Sequence, residues 1–236
     1  MSLAHSLAAV ESRITAACTS AGRAREAVRL LAISKTRPAS AIAEMASLGQ
    51  RAFGENYVQE ALPKIEQLHS LALEWHHVGP IQSNKTIDIA RHFAWAHGVD
   101  RLKVAERLSS QRPTHLPPLN ICLQVNVSGE ASKGGCTPDE ALALCWQFKL
   151  LPGIKLRGLM ALPAPSTADA DARAPFRQLR RLLETLRTDG MPLDTLSMGM
   201  SDDLEAAIAE GSTMIRIGSA LFGAREAGKS HIEPAS

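Results

Sequence analysis

Three groups of residues in this chain of 236 are of the types and in the places to do chemistry together. Lys35 follows the short apolar run Arg29-Leu-Leu-Ala-Ile-Ser34. Far along the chain come Ser197-Met-Gly-Met-Ser-Asp202 and Arg216-Ile-Gly-Ser219, two turns of small residues at the ends of strand-like segments. An amine captures an aldehyde, and the backbone N–H groups and hydroxyls of a small-residue turn hold a phosphate. The combination suits an aldehyde cofactor that bears a phosphate, and pyridoxal 5′-phosphate is the expected ligand. In Met214-Ile-Arg-Ile-Gly218 the alternation sets Arg216 opposite Ile215 and Ile217, pointing into an interior where it needs a partner such as a pyridine nitrogen or a carboxylate. Each motif alone also has a plain structural account: Gly199 and Gly218 close turns, Arg216 pairs with a structural carboxylate, and Lys35 is solvated. Their joint placement at the ends of the first, seventh and eighth strands, neighbours if the sheet closes, carries the chemical reading.

The elements that must position these residues can be read from hydrophobic periodicity. Leu3, Leu7, Val10, Ile14 and Ala17 recur at helical spacing, so the chain is expected to open with a helix over 1–27, packed outside the main body. Short apolar strands at 29–35, 51–54, 74–79, 93–99, 120–127, 154–160, 195–199 and 214–218 then alternate with amphipathic stretches. Thr137-Pro-Asp-Glu140 has the cap, the proline and the glutamate of a helix start. The segment 168–187 puts Phe176, Leu179, Leu182, Leu183 and Leu186 on one side. Eight strand-plus-helix units predict an α/β fold, a (β/α)8 TIM barrel over 28–225, with 226–236 as a flexible tail.

Composition narrows the function classes. Twenty-six Lys and Arg against 24 Asp and Glu give a formal charge of +2, which supplies no field for nucleic acid or an anionic membrane. The first twenty residues read as neither signal peptide nor membrane span. Cys18, Cys122, Cys136 and Cys145 form no CxxC pair and no zinc spacing, as expected of free thiols in a reducing cytoplasm.

Several further signals are discounted. Gly223-Ala-Arg-Glu-Ala-Gly-Lys-Ser230 has the spelling of a P-loop, but too little chain follows it here to supply the helix such a loop must open. His76 and His77 alternate on a strand, and His92 and His97 lie on the next unit without a carboxylate at ligand spacing, so a pocket-edge role for one of them is preferred to a metal site. Arg173, Arg177, Arg180, Arg181 and Arg187 are read as the wet face of an outer helix. On strand five Gln124 and Asn126 are expected inward, Gln124 for hydrogen bonding within the barrel and Asn126 either for that or near its mouth.

A resemblance adds to this reading. Ser34-Lys-Thr36, Phe53-Gly-Glu-Asn-Tyr-Val-Gln-Glu60, His77-Val-Gly-Pro-Ile-Gln-Ser-Asn-Lys85, Val125-Asn-Val-Ser128, Leu156-Arg-Gly-Leu-Met160, Leu196-Ser-Met-Gly-Met-Ser-Asp-Asp203 and the stretch from Met214 to Gly223 resemble, in order, the blocks of the YggS/PROSC family, the pyridoxal phosphate homeostasis proteins. The resemblance implies a fold-type III barrel with pyridoxal 5′-phosphate held as an aldimine on Lys35. It makes Ser197, Gly218 and Ser219 the phosphate ligands and sets Arg216 against the pyridine nitrogen. Asn56 and Asn84 belong to blocks that line the cofactor mouth, and Met200 counts with the cofactor-binding residues of its block. Two positions depart from the commoner spelling: His77 stands where Phe is usual, and Ser219 where Thr is usual.

The family likeness further implies a cytoplasmic monomer that binds the cofactor without substantial turnover, acts in its homeostasis and supply, and makes transient contact with cofactor-free enzymes. The alternative is an amino-acid racemase of the alanine racemase type. Arg216 beside the ring nitrogen disfavours its protonation and so weakens the ring as an electron sink. Racemisation also needs an acid/base opposite Lys35. Tyr57 or His77 would have to serve, and the additional β domain that completes racemase sites is expected to be missing.

Overall fold

The computed structural model describes residues 2–130, 134–163 and 169–224. Eight parallel strands close into a barrel in sequential order: β1 (Arg29–Ile33), β2 (Ala52–Glu55), β3 (Glu74–His77), β4 (Trp95–Val99), β5 (Leu119–Gln124), β6 (Ile154–Met160), β7 (Thr195–Ser197) and β8 (Met214–Ile217). β8 returns to β1 with Leu31 opposite Arg216 and Ala32 opposite Ile217. That closure puts the ends of β1, β7 and β8 side by side.

All eight strands expected from the sequence are present, most of them a little shorter than their apolar runs. The chain leaves the sheet once it begins to build loops, so Ser34 and Lys35, Val78 and Gly79, and Gly218 follow their strands rather than end them.

The opening helix is also shorter than expected. α1 (Leu3–Ser20) stops where Gly22 adopts a φ of 64°, and 25–27 form a separate 3-10 turn. α1 lies against two late helices, α8 (Leu204–Ala209) and α9 (Ser219–Phe222). Arg13 ties it there through Glu205 at 3.0 Å and the Ser201 carbonyl at 3.0 Å. The other helices are α2 (Ala39–Ser47), α3 (Val58–Gln67), α4 (Thr86–His92), α5 (Leu102–Gln111), α6 (Pro138–Lys149) and α7 (Asp169–Thr188).

α6 begins with the expected capping box, in which Thr137 and Glu140 satisfy each other's backbone N–H groups. In α7, Phe176, Leu179, Leu183 and Leu186 are buried. Two of its arginines, though part-exposed, also pair with the buried Glu210, Arg177 at 3.1 Å and Arg180 at 3.4 Å.

Apolar side chains fill two layers. The larger lies between strands and helices and includes Ile215 and Ile217. A smaller one, with Leu31, Trp95, Cys122 and Met160, lies inside the barrel. All four cysteines are buried and unpaired. Among the described residues no helix is long and apolar enough to cross a membrane. The expected tail, and the P-loop spelling beyond Ala224, lie outside the described residues.

Candidate functional site

A cavity of about 290 Å³ opens where β1 and β8 end, and Lys35, Asn56, Met200, Arg216, Gly218 and Ser219 are on its wall. Parallel barrels carry their sites at this face because the strand-to-helix loops converge there.

Lys35 is held from below by α3. Lys64 Nζ donates to the Ser34 carbonyl at 3.1 Å and to Glu55 Oε1 at 2.9 Å, and the Ser34 hydroxyl donates to the same carboxylate oxygen at 2.6 Å. On the far side of Lys35, Glu60 accepts from the Thr36 N–H at 3.0 Å. Thr36 has a φ of 63°, unusual for a β-branched residue, and such strain persists only where neighbours impose it. The lysine therefore sits in a turn pinned on both sides. Glu55 is fully buried. Desolvation raises its pKa, against the lowering effect of Lys64 and Ser34.

The opposite wall comes from the ends of β7 and β8. Ser201 and Ser219 bring their hydroxyls within 3.4 Å of each other, and both line the cavity. Ser197, the serine expected to meet a phosphate, lies elsewhere. It is wholly buried, and its hydroxyl lies 2.8 Å from both Arg216 Nη1 and His97 Nδ1. The displacement has a local cause. Gly199 turns the chain at a φ of 96°, a region open to glycine, and so carries Ser201 to the wall while Ser197 stays in the barrel.

Arg216 points inward as its strand position predicts. Its guanidinium donates to the Ser197 carbonyl at 2.6 Å, to the Ser197 hydroxyl at 2.8 Å and to the Ala161 carbonyl at 2.8 Å. Three of its five N–H donors are thereby used, with no carboxylate among the partners. Burial lowers its pKa to about 10, with Asp203 and Cys122 acting in the other direction, so it remains a cation at neutral pH.

Asn56 reaches the wall because the loops after β2 and β3 touch: a Cβ on Gly79 would lie 2.5 Å from the Asn56 carbonyl. Asn84 is exposed in the 83–85 turn and is not on the cavity wall. His77 is not at the pocket edge. It packs edge-on against Phe93 in the outer layer, with ring centroids 5.6 Å apart. Gln124 hydrogen-bonds the Gly134 carbonyl, and Asn126 that of Glu130.

Two features escaped the sequence reading. One is the Glu55–Lys64 pair beneath Lys35. The other is a set of polar groups within the barrel, Glu74, His76, His97 and Ser197, joined to Arg216 by hydrogen bonds. Strict alternation could have found part of the second, since Glu74 with His76 and Trp95 with His97 share a pleat.

Comparison with known proteins bears on what this site is. A family profile described as "Alanine racemase, N-terminal domain" matches residues 6–226. The Pyridoxal phosphate homeostasis protein of Pseudomonas aeruginosa is 59% identical over 226 residues, 96% of this chain and 97% of that protein. Its counterpart in Escherichia coli K12 is 52% identical over 230 residues, 96% of this chain and 98% of that one. The chain belongs to the pyridoxal phosphate homeostasis protein family.

Among solved structures of similar proteins, PipY of Synechococcus elongatus with PLP bound superimposes with a TM-score of 0.83 at 37% identity, covering 94% of this chain and all of PipY. The same protein without PLP gives 0.84 and 38% over the same shares. Alanine racemase from Corynebacterium glutamicum, at 18% identity and a TM-score of 0.65, shares the fold.

Proposed function

We propose that this family member binds pyridoxal 5′-phosphate in the cavity above β1 and β8, carries it on Lys35 and serves cofactor homeostasis without substantial turnover. The observation that supports this most is the convergence around one cavity of an amine, a pair of hydroxyls and a guanidinium with donors to spare. These donors fit the group. Lys35 Nζ would hold the aldehyde carbon, Ser201, Ser219 and the Gly218 backbone would take the phosphate, and Arg216 would face the ring nitrogen. Asn56 and Met200 would border the ring, and Asn84 would lie outside it. When bound, the cofactor supplies an aldehyde for amine capture and a ring able to withdraw electrons. A cationic guanidinium opposes protonation of that ring nitrogen, which keeps the withdrawal weak.

Relatives named for pyridoxal phosphate homeostasis, and the PLP-bound PipY structure, support the same reading. A cytoplasmic monomer that meets cofactor-free enzymes transiently fits that role.

A second reading, an amino-acid racemase, is favoured by the alanine racemase profile. It needs an acid or base across from the lysine. Tyr57 is exposed at the start of α3 and His77 is buried outside the barrel, and neither lines the cavity. The wall carboxylate Asp202 follows Ser201 directly, in the loop assigned here to the phosphate.

Incubation of the loaded protein with alanine or serine in deuterated water distinguishes the two. The carrier reading expects no appreciable exchange of the α-proton, together with restored activity when a cofactor-free pyridoxal phosphate enzyme is added. Rapid exchange that Lys35→Ala abolishes establishes the racemase instead.

A further inference from the structure

A continuous hydrogen-bonded chain crosses the barrel interior from one end to the other. It starts at Glu74, the first residue of β3, whose Oε1 lies 2.7 Å from Arg29 and 2.6 Å from His76 Nε2. His76 Nδ1 is 2.9 Å from His97 Nε2 on β4, and His97 Nδ1 is 2.8 Å from the Ser197 hydroxyl on β7. The Ser197 hydroxyl in turn lies 2.8 Å from Arg216 on β8, which lines the cavity. His76, His97 and Ser197 have no solvent exposure.

With both imidazoles neutral, each proton between Glu74 and Ser197 has one place. A guanidinium can only donate, so Ser197 accepts from Arg216 on one lone pair and keeps its own proton to give to His97 Nδ1. His97 then carries its proton on Nε2 and gives it to His76 Nδ1. His76 carries its proton on Nε2 and gives it to Glu74. The carboxylate end fixes this order for neutral rings, since an ionised carboxylate can only accept: His76 donates from Nε2, which leaves its Nδ1 to accept from His97 and His97 Nδ1 to accept from Ser197. The Arg216 end is compatible with that order; a cationic His76 would break the chain, because its Nδ1–H would meet the Nε2–H of His97, and a cationic His97 would reverse the link to Ser197. Burial opposes that charge at both rings. His76 is also fixed in plane by stacking on Trp95, 8° from parallel.

We infer that Glu74, His76, His97 and Ser197 are positioning residues that aim Arg216: the chain locks the Ser197 lone pair toward Nη1 and so turns the remaining N–H donors of the guanidinium to the cavity. The cofactor end of this inference rests on the function proposed above. It also assigns Ser197 an inward role, since its one proton is spent on His97. The chain joins β3 and β4 to β7 and β8 across the barrel, so the guanidinium is oriented by groups that no ligand in the cavity touches.

Long-range proton–nitrogen NMR of the cofactor-free protein at neutral pH tests the chain itself. Both histidines should show an unprotonated Nδ1 and a protonated Nε2. A protonated Nδ1 on either ring overturns the inference.

The cofactor end is tested by binding. His97→Leu, which removes both links, should weaken pyridoxal 5′-phosphate and unphosphorylated pyridoxal alike, by about tenfold for a lost bond to a charged group. His97→Gln, whose amide oxygen can accept from Ser197 and whose amide N–H can donate to His76, should recover most of that loss. A folded His97→Leu protein that binds both compounds like the parent overturns the positioning role, as does a His97→Gln protein as weak as His97→Leu. If His97→Leu does not fold, Ser197→Ala replaces it with the same expectation. An Arg216→Met variant that binds both compounds normally overturns the cofactor reading instead, and the imidazole signals still decide the direction of the chain.

Discussion

At the scale of single residues, the account turns on which serines meet the phosphate. Ser201 and Ser219 share the cavity wall with hydroxyls 3.4 Å apart, whereas the Ser197 hydroxyl is spent between His97 and Arg216. Hydrogen bonds to a charged group contribute about 1.5–3 kcal/mol each. Replacing Ser201 and Ser219 together by alanine should weaken pyridoxal 5′-phosphate at least about tenfold more than pyridoxal, which lacks the charge. Ser197→Ala should weaken the two compounds to the same extent. Titration of both compounds checks this, and a phosphate-selective loss in Ser197→Ala would move the cradle back onto Ser197. The sequence points to the loop but not to which of its serines lines the cavity, because the pleat fixes which way Ser197 points and the turn at Gly199 decides what reaches the wall.

At the scale of elements, α3 is the support for the Lys35 turn. Its Lys64 neutralises Glu55, which has no exposure, and one carboxylate oxygen, Oε2, is buried with no hydrogen-bond partner. Removing one member of a buried ion pair costs about 3–5 kcal/mol, because the charge left behind has no compensation. Lys64→Met should therefore lower stability by about 3 kcal/mol in chemical denaturation at neutral pH, and the added change Glu55→Gln should restore much of it. A loss under about 1 kcal/mol would show that the pair is not what holds the turn. This support was not legible in the sequence. Glu55 and Lys64 are nine positions apart on a strand and the following helix, and periodicity says that each exists without saying that they meet. The strands were legible, because parallel strands covered on both sides read as apolar runs. Their ends were less so, because an apolar run outlasts the hydrogen-bonded ladder.

At the scale of the whole molecule, three buried histidines contribute to the loss of stability as the pH falls below 6.5. Burial pushes His77 down from 6.5 to about 4, opposed by a backbone hydrogen bond at Asn56, and lowers His76 and His97 as well. A histidine whose folded value lies below its unfolded value binds fewer protons when folded. Its contribution is intact above pH 6.5 and is lost as the pH falls toward the folded value. For His77 that window runs from 6.5 to about 4, and its full depth is roughly 3 kcal/mol. His77→Phe, which also removes a buried Nδ1 that lacks a partner, should flatten the decline by that amount. Unfolding free energies measured across the window would contradict this if parent and variant ran parallel. The closed barrel was legible because eight strand-plus-helix units were countable. The histidine chain was not, since its members come from strands on opposite sides of the barrel, and only closure brings β3 and β4 to face β7 and β8.

The central claim is that Lys35, in its pinned turn, is the amine that carries the cofactor. Borohydride reduction of the protein loaded with pyridoxal 5′-phosphate, followed by peptide mass mapping, tests it directly. The account predicts a pyridoxyl group on Lys35, and none in a Lys35→Ala protein that still folds. A label on another lysine, such as Lys85, or no label on the loaded protein would contradict it.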